Sequence, residues 1–467
     1  MTNYFDENKD IAELVRLYEE TLRGESFRYF DVFDYVDIAE YYLTTMQESK
    51  AENVISEALV QHPDAIELKY KQAEMYVLKG KTQKALNLIK ELEQTSDDAE
   101  FHLLRGTIFT ATGKYEEANS AFLMAIERDD ENREELLFRI GLAFQHVFEF
   151  SLALQYHYKL YEESPNDLNN LFEVAYCYEQ LERLDNSILF YNKYLDISPY
   201  SHKVWYNLGI IYNRLQRYED AVEAYDYTLA IRPKHSKAYF NKGNALFYLG
   251  KYKEALTCYL KYLNYDDNHS LTNTYIAECY ERLGEYESAV LHYNKALSID
   301  PKLSDAWFGL GMVAKLQGNI YEAIQHMEKA AKTDGTFSEC YIELGELYTL
   351  INEDTLAINA YRYAIIASPD ALHNHIELAK FYHKKNNIQE AREVLEAVKK
   401  DFKEEAELFY YLSLFALLED DLVEAKRYLK QAKSIDNGQF DELVNYCRRN
   451  EPLVSKGKID DLLKLHE

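Results

Sequence analysis

Proline and glycine are scarce, at seven and 16 of 467 residues, where average usage would bring about 5 and 7 per cent. So few turn formers argue against a loop-rich or all-β protein. Cysteine is thin as well. The five, Cys177, Cys258, Cys279, Cys340 and Cys447, have no paired spacing. That speaks against a disulfide scaffold and for a reducing compartment. Positive charge is also short, since Lys+Arg 52 against Asp+Glu 80 leaves a formal charge of −28. Such a field repels nucleic acid and anionic membrane, which bind mainly through phosphate neutralisation. No apolar run approaches the roughly 18 residues of a membrane span. The opening MTNYFDENKDIAELV lacks the basic and apolar segments of a signal peptide. A cytoplasmic protein is the expectation.

What the chain does have is tyrosine, 42 copies, within an apolar fraction of 47% that suffices for a buried core. It also has a period. Pro63, Pro165, Pro199, Pro233, Pro301 and Pro369 are separated by multiples of 34 residues. A small residue recurs with the same step at Ala51, Ala85, Ala118, Ala153, Ser187, Ala221, Ala255, Ala289, Ala323, Ala357, Ala391 and Ala425. A second small-residue column precedes it by 12, at Ala39, Ala73, Gly106, Gly141, Ala175, Gly209, Gly243, Ala277, Gly311, Gly345, Ala379 and Ser413. Small residues at both places let two helices approach closely. Trp205, Leu208, Gly209 and Tyr212 follow one helical face, and Ala221, Tyr225 and Leu229 follow another. Gly80, Gly113, Gly250, Gly284 and Gly318 fall between the two helices, where a left-handed residue is wanted.

These residues resemble the tetratricopeptide repeat (TPR) family, whose pattern is W-x₂-L-G-x₂-Y, then A-x₃-F, then P. Residues 205–233 supply Trp, Leu, Gly, Tyr, Ala, Tyr and Pro in that order, and residues 341–369 repeat most of it. Lys69, His102 and Asn273 depart from the aromatic anchor, and the last two repeats lack the proline. The resemblance implies an all-α, right-handed α-solenoid of antiparallel helix pairs, a superhelix. Twelve tandem repeats are expected over 32–439. A capping helix and aromatic lead-in would occupy 1–31, and capping helices 440–467, on either side of Pro452.

No catalytic motif stands out: HExxH, GxxxxGK[ST], GxSxG and CxxC are all absent from the sequence. His373, His375 and His383 lack the i, i+4 spacing of metal ligands on one helical face. They are expected to be solvated or to line a groove. Neither enzyme activity nor a cofactor is expected.

The resemblance implies that first helices line a concave groove in which partners bind. Residues two before, two after and five after each anchor share one stripe of the first helix. That stripe carries Lys203 and Asn207 in one repeat, and Lys237, Asn241 and Asn244 in the next. Lys offers charge to a carboxylate and Asn can pair with a peptide backbone. Ahead of this donor patch lie Phe138, Leu142, Phe172, Tyr176 and Tyr206, continued by Phe240. Behind it the columns turn acidic at Glu278, Asp305, Glu339, Glu343 and Glu346, then basic at His373, Lys380 and Lys384. Leu271 and Tyr275 break the carboxylate clamp of chaperone-binding relatives. Glu173, Tyr275, Gly309 and Glu343 break the asparagine ladder of the glycosyltransferases.

The expected function is a non-catalytic scaffold that binds a protein or peptide ligand in the groove, with no nucleic-acid or membrane partner. Packing of the aromatics between repeats and solvation of the charges is the competing account of the same residues. The alternative function is a structural subunit of a homodimer or larger complex that assembles through its terminal repeats. Leu414, Leu417 and Leu418 motivate it, because either the C-terminal helices or another chain must cover them.

Overall fold

The computed structural model describes residues 3–25, 27–265, 269–436, 438–450 and 454–466, so Pro452 lies outside the described residues. Among the described residues there are 27 helices and no strand. The chain divides into two compact units, Met1–Gln216 and Arg217–Glu467. The first holds a lead helix, Asn3–Leu22, then five helix pairs and the opening helix of a sixth repeat, His202–Arg214. The second holds the other helix of that repeat, Tyr218–Ile231, then six pairs and two terminal helices, Phe440–Arg449 and Lys456–His466. Within each unit the members of a pair pack together, and first helices also touch the first helices of neighbouring repeats.

Both small-residue columns sit where helix meets helix. All twelve residues of the second-helix column are 0% exposed, Ser187 included. The polar members are satisfied across the pair: Ser187 Oγ donates to the Ala175 carbonyl at 2.8 Å, and Ser413 Oγ donates to the Ala425 carbonyl at 2.9 Å. Each periodic proline stands two residues beyond the last residue of a second helix, as Pro199 follows Ile197 and Pro369 follows Ala367. There its missing N–H removes nothing from the helix and its ring stops extension. Its carbonyl stays in use, since Trp205 and Trp307 donate their indole N–H to Pro199 and Pro301 at 2.8 and 3.0 Å. The eleventh repeat lacks the proline, and its second helix, Ile388–Val398, is 11 residues long where most have 14.

The turn between paired helices has one rule throughout. Its left-handed residue is Gly80, Gly113, Gly250, Gly284 or Gly318 in five repeats. In the others it is Met46, Phe148, Glu182, Gln216, Asn352, Asn386 or Asp420, all with positive φ. The periodicity had marked only the glycines; the backbone makes the same turn without them.

At the N-terminus, Tyr18 and Val15 of the lead helix are buried against the first repeat. The Tyr18 ring lies 5.6 Å from Phe30 and 6.1 Å from Tyr35, and its hydroxyl donates to Glu57 at 2.7 Å. At the other end Leu414 and Leu417 are 0% exposed, in one cluster with Phe440, Leu443, Val444, Ile459 and Leu462. The chain's own terminal helices therefore cover the apolar face that the sequence left open.

Candidate partner-binding face

Each first helix presents its stripe through the same register, because a 34-residue repeat returns every side chain to an equivalent place. What differs is whether a neighbour uses it. Lys71 lies 3.1 Å from Glu74 and 3.6 Å from Glu40. Arg139 makes two hydrogen bonds to Glu100, at 2.6 and 2.8 Å. Lys380 lies 2.8 Å from Glu377. Lys203 and Lys237 differ: both are exposed, and neither has a carboxylate at ion-pair distance among the described residues. Lys203 and Asn207 belong to the first compact unit, and Lys237, Asn241 and Asn244 to the second.

The asparagines are half-buried and partly engaged. Asn207 Nδ2 donates to the Tyr191 hydroxyl at 3.0 Å, and Asn244 Oδ1 accepts from the Tyr259 hydroxyl at 2.7 Å. Both tyrosines come four residues after the small residue of a second helix, the A-x₃-aromatic step of the repeat. That spacing was legible as an apolar stripe; the hydrogen bonds to the first-helix face were not.

The aromatic positions are half-buried too. Phe138 packs edge-on to His157 at 5.5 Å, Phe172 to Tyr191 at 5.6 Å, and Tyr176 to Phe150 at 5.9 Å. Phe240 lies 5.3 Å from Tyr262 and 5.7 Å from Tyr275. Tyr206 is half-buried beside them in the sequence register. These rings pack between helices and stay partly exposed. In the first unit the face holds a cavity of about 570 Å³, lined by Val77, Leu103, Leu142 and Val147 together with Glu100 and Arg139.

The acidic band divides in two. Glu343 and Glu346 share Lys315, the latter at 2.8 Å. Glu278 and Asp305 have no ion pair among the described residues. Burial, then the nearby Glu281 and Asp305 charges, pushes the Glu278 carboxyl up to about 7. Burial also raises Glu281, which accepts a hydrogen bond from the Tyr293 hydroxyl at 2.9 Å.

The histidines correct an expectation. His373 is exposed, but His375 and His383 are 8% and 1% exposed and neither is solvated. His375 rests on Phe402, and His383 on Phe415 and Tyr446. Two buried histidines went unremarked in the sequence. His157 Nδ1 lies 3.0 Å from Asn170 Oδ1, and His292 Nδ1 lies 3.1 Å from Asn273 Oδ1. Asn273, one of the three departures from the aromatic anchor, is thus held by a polar pair. All five cysteines are free and buried.

Paired helices in a 34-residue register, with neighbouring first helices touching within each unit, define a helical-repeat solenoid. Tetratricopeptide-repeat family models match residues 168–201 and 304–337, 200–268, and 279–318. The chain is a tetratricopeptide-repeat protein. No curated protein matches it. Among solved structures it is similar to the Cut9–Hcn1 hetero-tetramer of APC/C, at 16% identity and TM-score 0.39 over 81% of this chain and 89% of that one. It is also similar to YrrB, described as a TPR protein with an unusual peptide-binding site, at 19% identity and TM-score 0.32 over 41% and 97%. MamA from Desulfovibrio magneticus RS-1 aligns at 18% identity and TM-score 0.35 over 36% and 94%. At these scores none of them bears on function. No helix among the described residues is long and apolar enough to cross a membrane.

Proposed function

We propose that the chain is a non-catalytic, cytoplasmic scaffold that holds a peptide segment or partner protein on its first-helix face. One observation carries this reading: Lys203 in the first unit and Lys237 in the second each hold the same stripe position of their repeat and are exposed, with no carboxylate at ion-pair distance among the described residues. The other stripe cations Lys71, Arg139 and Lys380 are held in ion pairs. Holding an unpaired cation in one column of a strongly acidic protein favours a ligand that brings its own carboxylate. Asn207, Asn241 and Asn244 supply amide groups for a ligand backbone. The partly exposed Phe138, Phe172, Tyr176, Tyr206 and Phe240 supply apolar contact.

The test is affinity purification from the native source with the intact chain, followed by mass spectrometry. It is then repeated with Lys203→Glu and Lys237→Glu together. Partner recovery should drop several-fold in the double variant, while equal recovery would remove this patch from the docking surface. In the folded chain Leu414 and Leu417 are covered by its own terminal helices, while Leu418 is only partly buried.

A further inference from the structure

Leu443 and Cys447 stand 34 residues after Phe409 and Ser413, so Phe440–Arg449 is in phase to be the first helix of a thirteenth repeat. It takes a different place. Lys456–His466 packs on both helices of the twelfth repeat, Ala406–Leu418 and Leu422–Ile435. Its Lys458 Nζ reaches the Leu417 carbonyl at 2.7 Å. Phe440–Arg449 packs on Ala406–Leu418 and on Lys456–His466, and its Tyr446 side chain reaches a first helix two repeats back, Leu372–Lys384. The Tyr446 hydroxyl lies 2.7 Å from His383 Nδ1, and its ring lies 5.4 Å from Tyr411, edge-on. Lys380 Nζ sits over both rings, 5.1 Å from Tyr411 and 5.6 Å from Tyr446.

Lys380 and Tyr411 are stripe residues, five after His375 and two after Phe409. They correspond to Asn244 and Asn241 in the seventh repeat. The covering helix has the form of a helical ligand: Phe440, Leu443, Val444 and Cys447 are buried, while Asp441, Glu442, Asn445, Arg448 and Arg449 are exposed. Among the described residues His383 Nε2 is buried and has no hydrogen-bond partner. Burial also raises the pKa of Glu407 beside it. Polar groups left short of partners lower the stability of a contact, and a ten-residue helix held by one face opens more readily than the core.

We propose that Phe440–Arg449 is a resident ligand of the first-helix face, closing the last two repeats until a partner helix with a similar aromatic and aliphatic face displaces it. This rests on reading that face as the docking surface. Release exposes Tyr411, Lys380 and His383 together, and the incoming helix replaces the Tyr446 contacts. Lys456–His466 stays on the twelfth repeat as the end cap.

The test uses the intact chain and a fluorescein-labelled synthetic peptide of residues 438–450. The peptide should bind full-length Tyr446→Ser about tenfold more tightly than wild type, and adding Tyr411→Ser should abolish that gain. Equal binding by wild type and a Tyr446→Ser chain with unchanged far-UV circular dichroism would overturn the proposal. Hydrogen exchange on the wild-type chain decides the matter even if the variant misfolds. Amides of 440–449 should exchange about tenfold faster than those of 406–418, and equal protection would make the helix a permanent cap. Neither measurement involves Lys203 or Lys237, so failure here is separable from failure of the donor patch.

Discussion

A Cβ built on Gly243 would stand 2.6 Å from the Tyr259 ring. The same separation of 16 residues sets Gly311 against Met327 and Gly345 against Tyr361. The first-helix small-residue column therefore lets a large second-helix side chain lie on bare helix backbone. Gly243→Ala should push Tyr259 off that surface and strain its hydrogen bond to Asn244, lowering stability by about 1–3 kcal/mol. A urea midpoint equal to wild type would contradict the close approach.

The turn column predicts an effect of opposite sign. Phe148 and Glu182 hold φ of 63 and 58 degrees, a left-handed conformation that costs a residue with a Cβ about 1 kcal/mol or more. Phe148→Gly and Glu182→Gly should each raise the thermal midpoint. Gly113→Ala, where the added methyl meets nothing within 4 Å, should lower it through backbone strain alone.

Glu278 sets a pH dependence in the second unit. Its carboxyl is raised from 4.5 to about 7 by burial and by neighbouring carboxylates. Between those values the folded chain keeps a proton that the unfolded chain has lost. Stability should thus fall as pH rises from 4.5 to 7, by on the order of 3 kcal/mol from this group. Glu278→Gln should flatten that slope in thermal melts taken at half-unit steps; an identical slope would rule the group out.

His157 works in the other direction in the first unit. Burial lowers its pKa from 6.5 to about 4, so the unfolded chain binds a proton that the folded chain refuses. Stability from this residue should be lost as pH falls from 6.5 to 4, on the order of 3 kcal/mol. His292, lowered to about 4 by burial, adds to the same trend. Denaturation at pH 7 and pH 5 should show the loss, and His157→Gln should reduce it.

Partner capture through exposed Lys203 and Lys237 should be salt-sensitive, because the screening length shortens from about 10 Å at 0.1 M to about 3 Å at 1 M. Retention of a partner on immobilised chain should drop several-fold across that range. Retention independent of salt would point to the aromatic residues as the main contact.

Much of this protein was legible in one dimension. A 34-residue step in prolines and small residues determined the helix pairs, the glycine turns and the buried columns, because a repeat forces contacts to recur at fixed spacing. Asn207 and Asn244 could be put in a register by the same step. Their attachment to Tyr191 and Tyr259 could not, because it depends on which ring a neighbouring helix brings within hydrogen-bond reach. The histidines show the same limit: His375 and His383 look like surface residues until Phe402 and Tyr446 close over them. The helix Phe440–Arg449 shows it most plainly. By sequence it is a capping helix, and only the tertiary structure brings its Tyr446 to Tyr411 and His383. The apolar groups of Ala406–Leu418 had to be covered, and Phe440, Leu443, Val444 and Cys447 join them in one buried cluster.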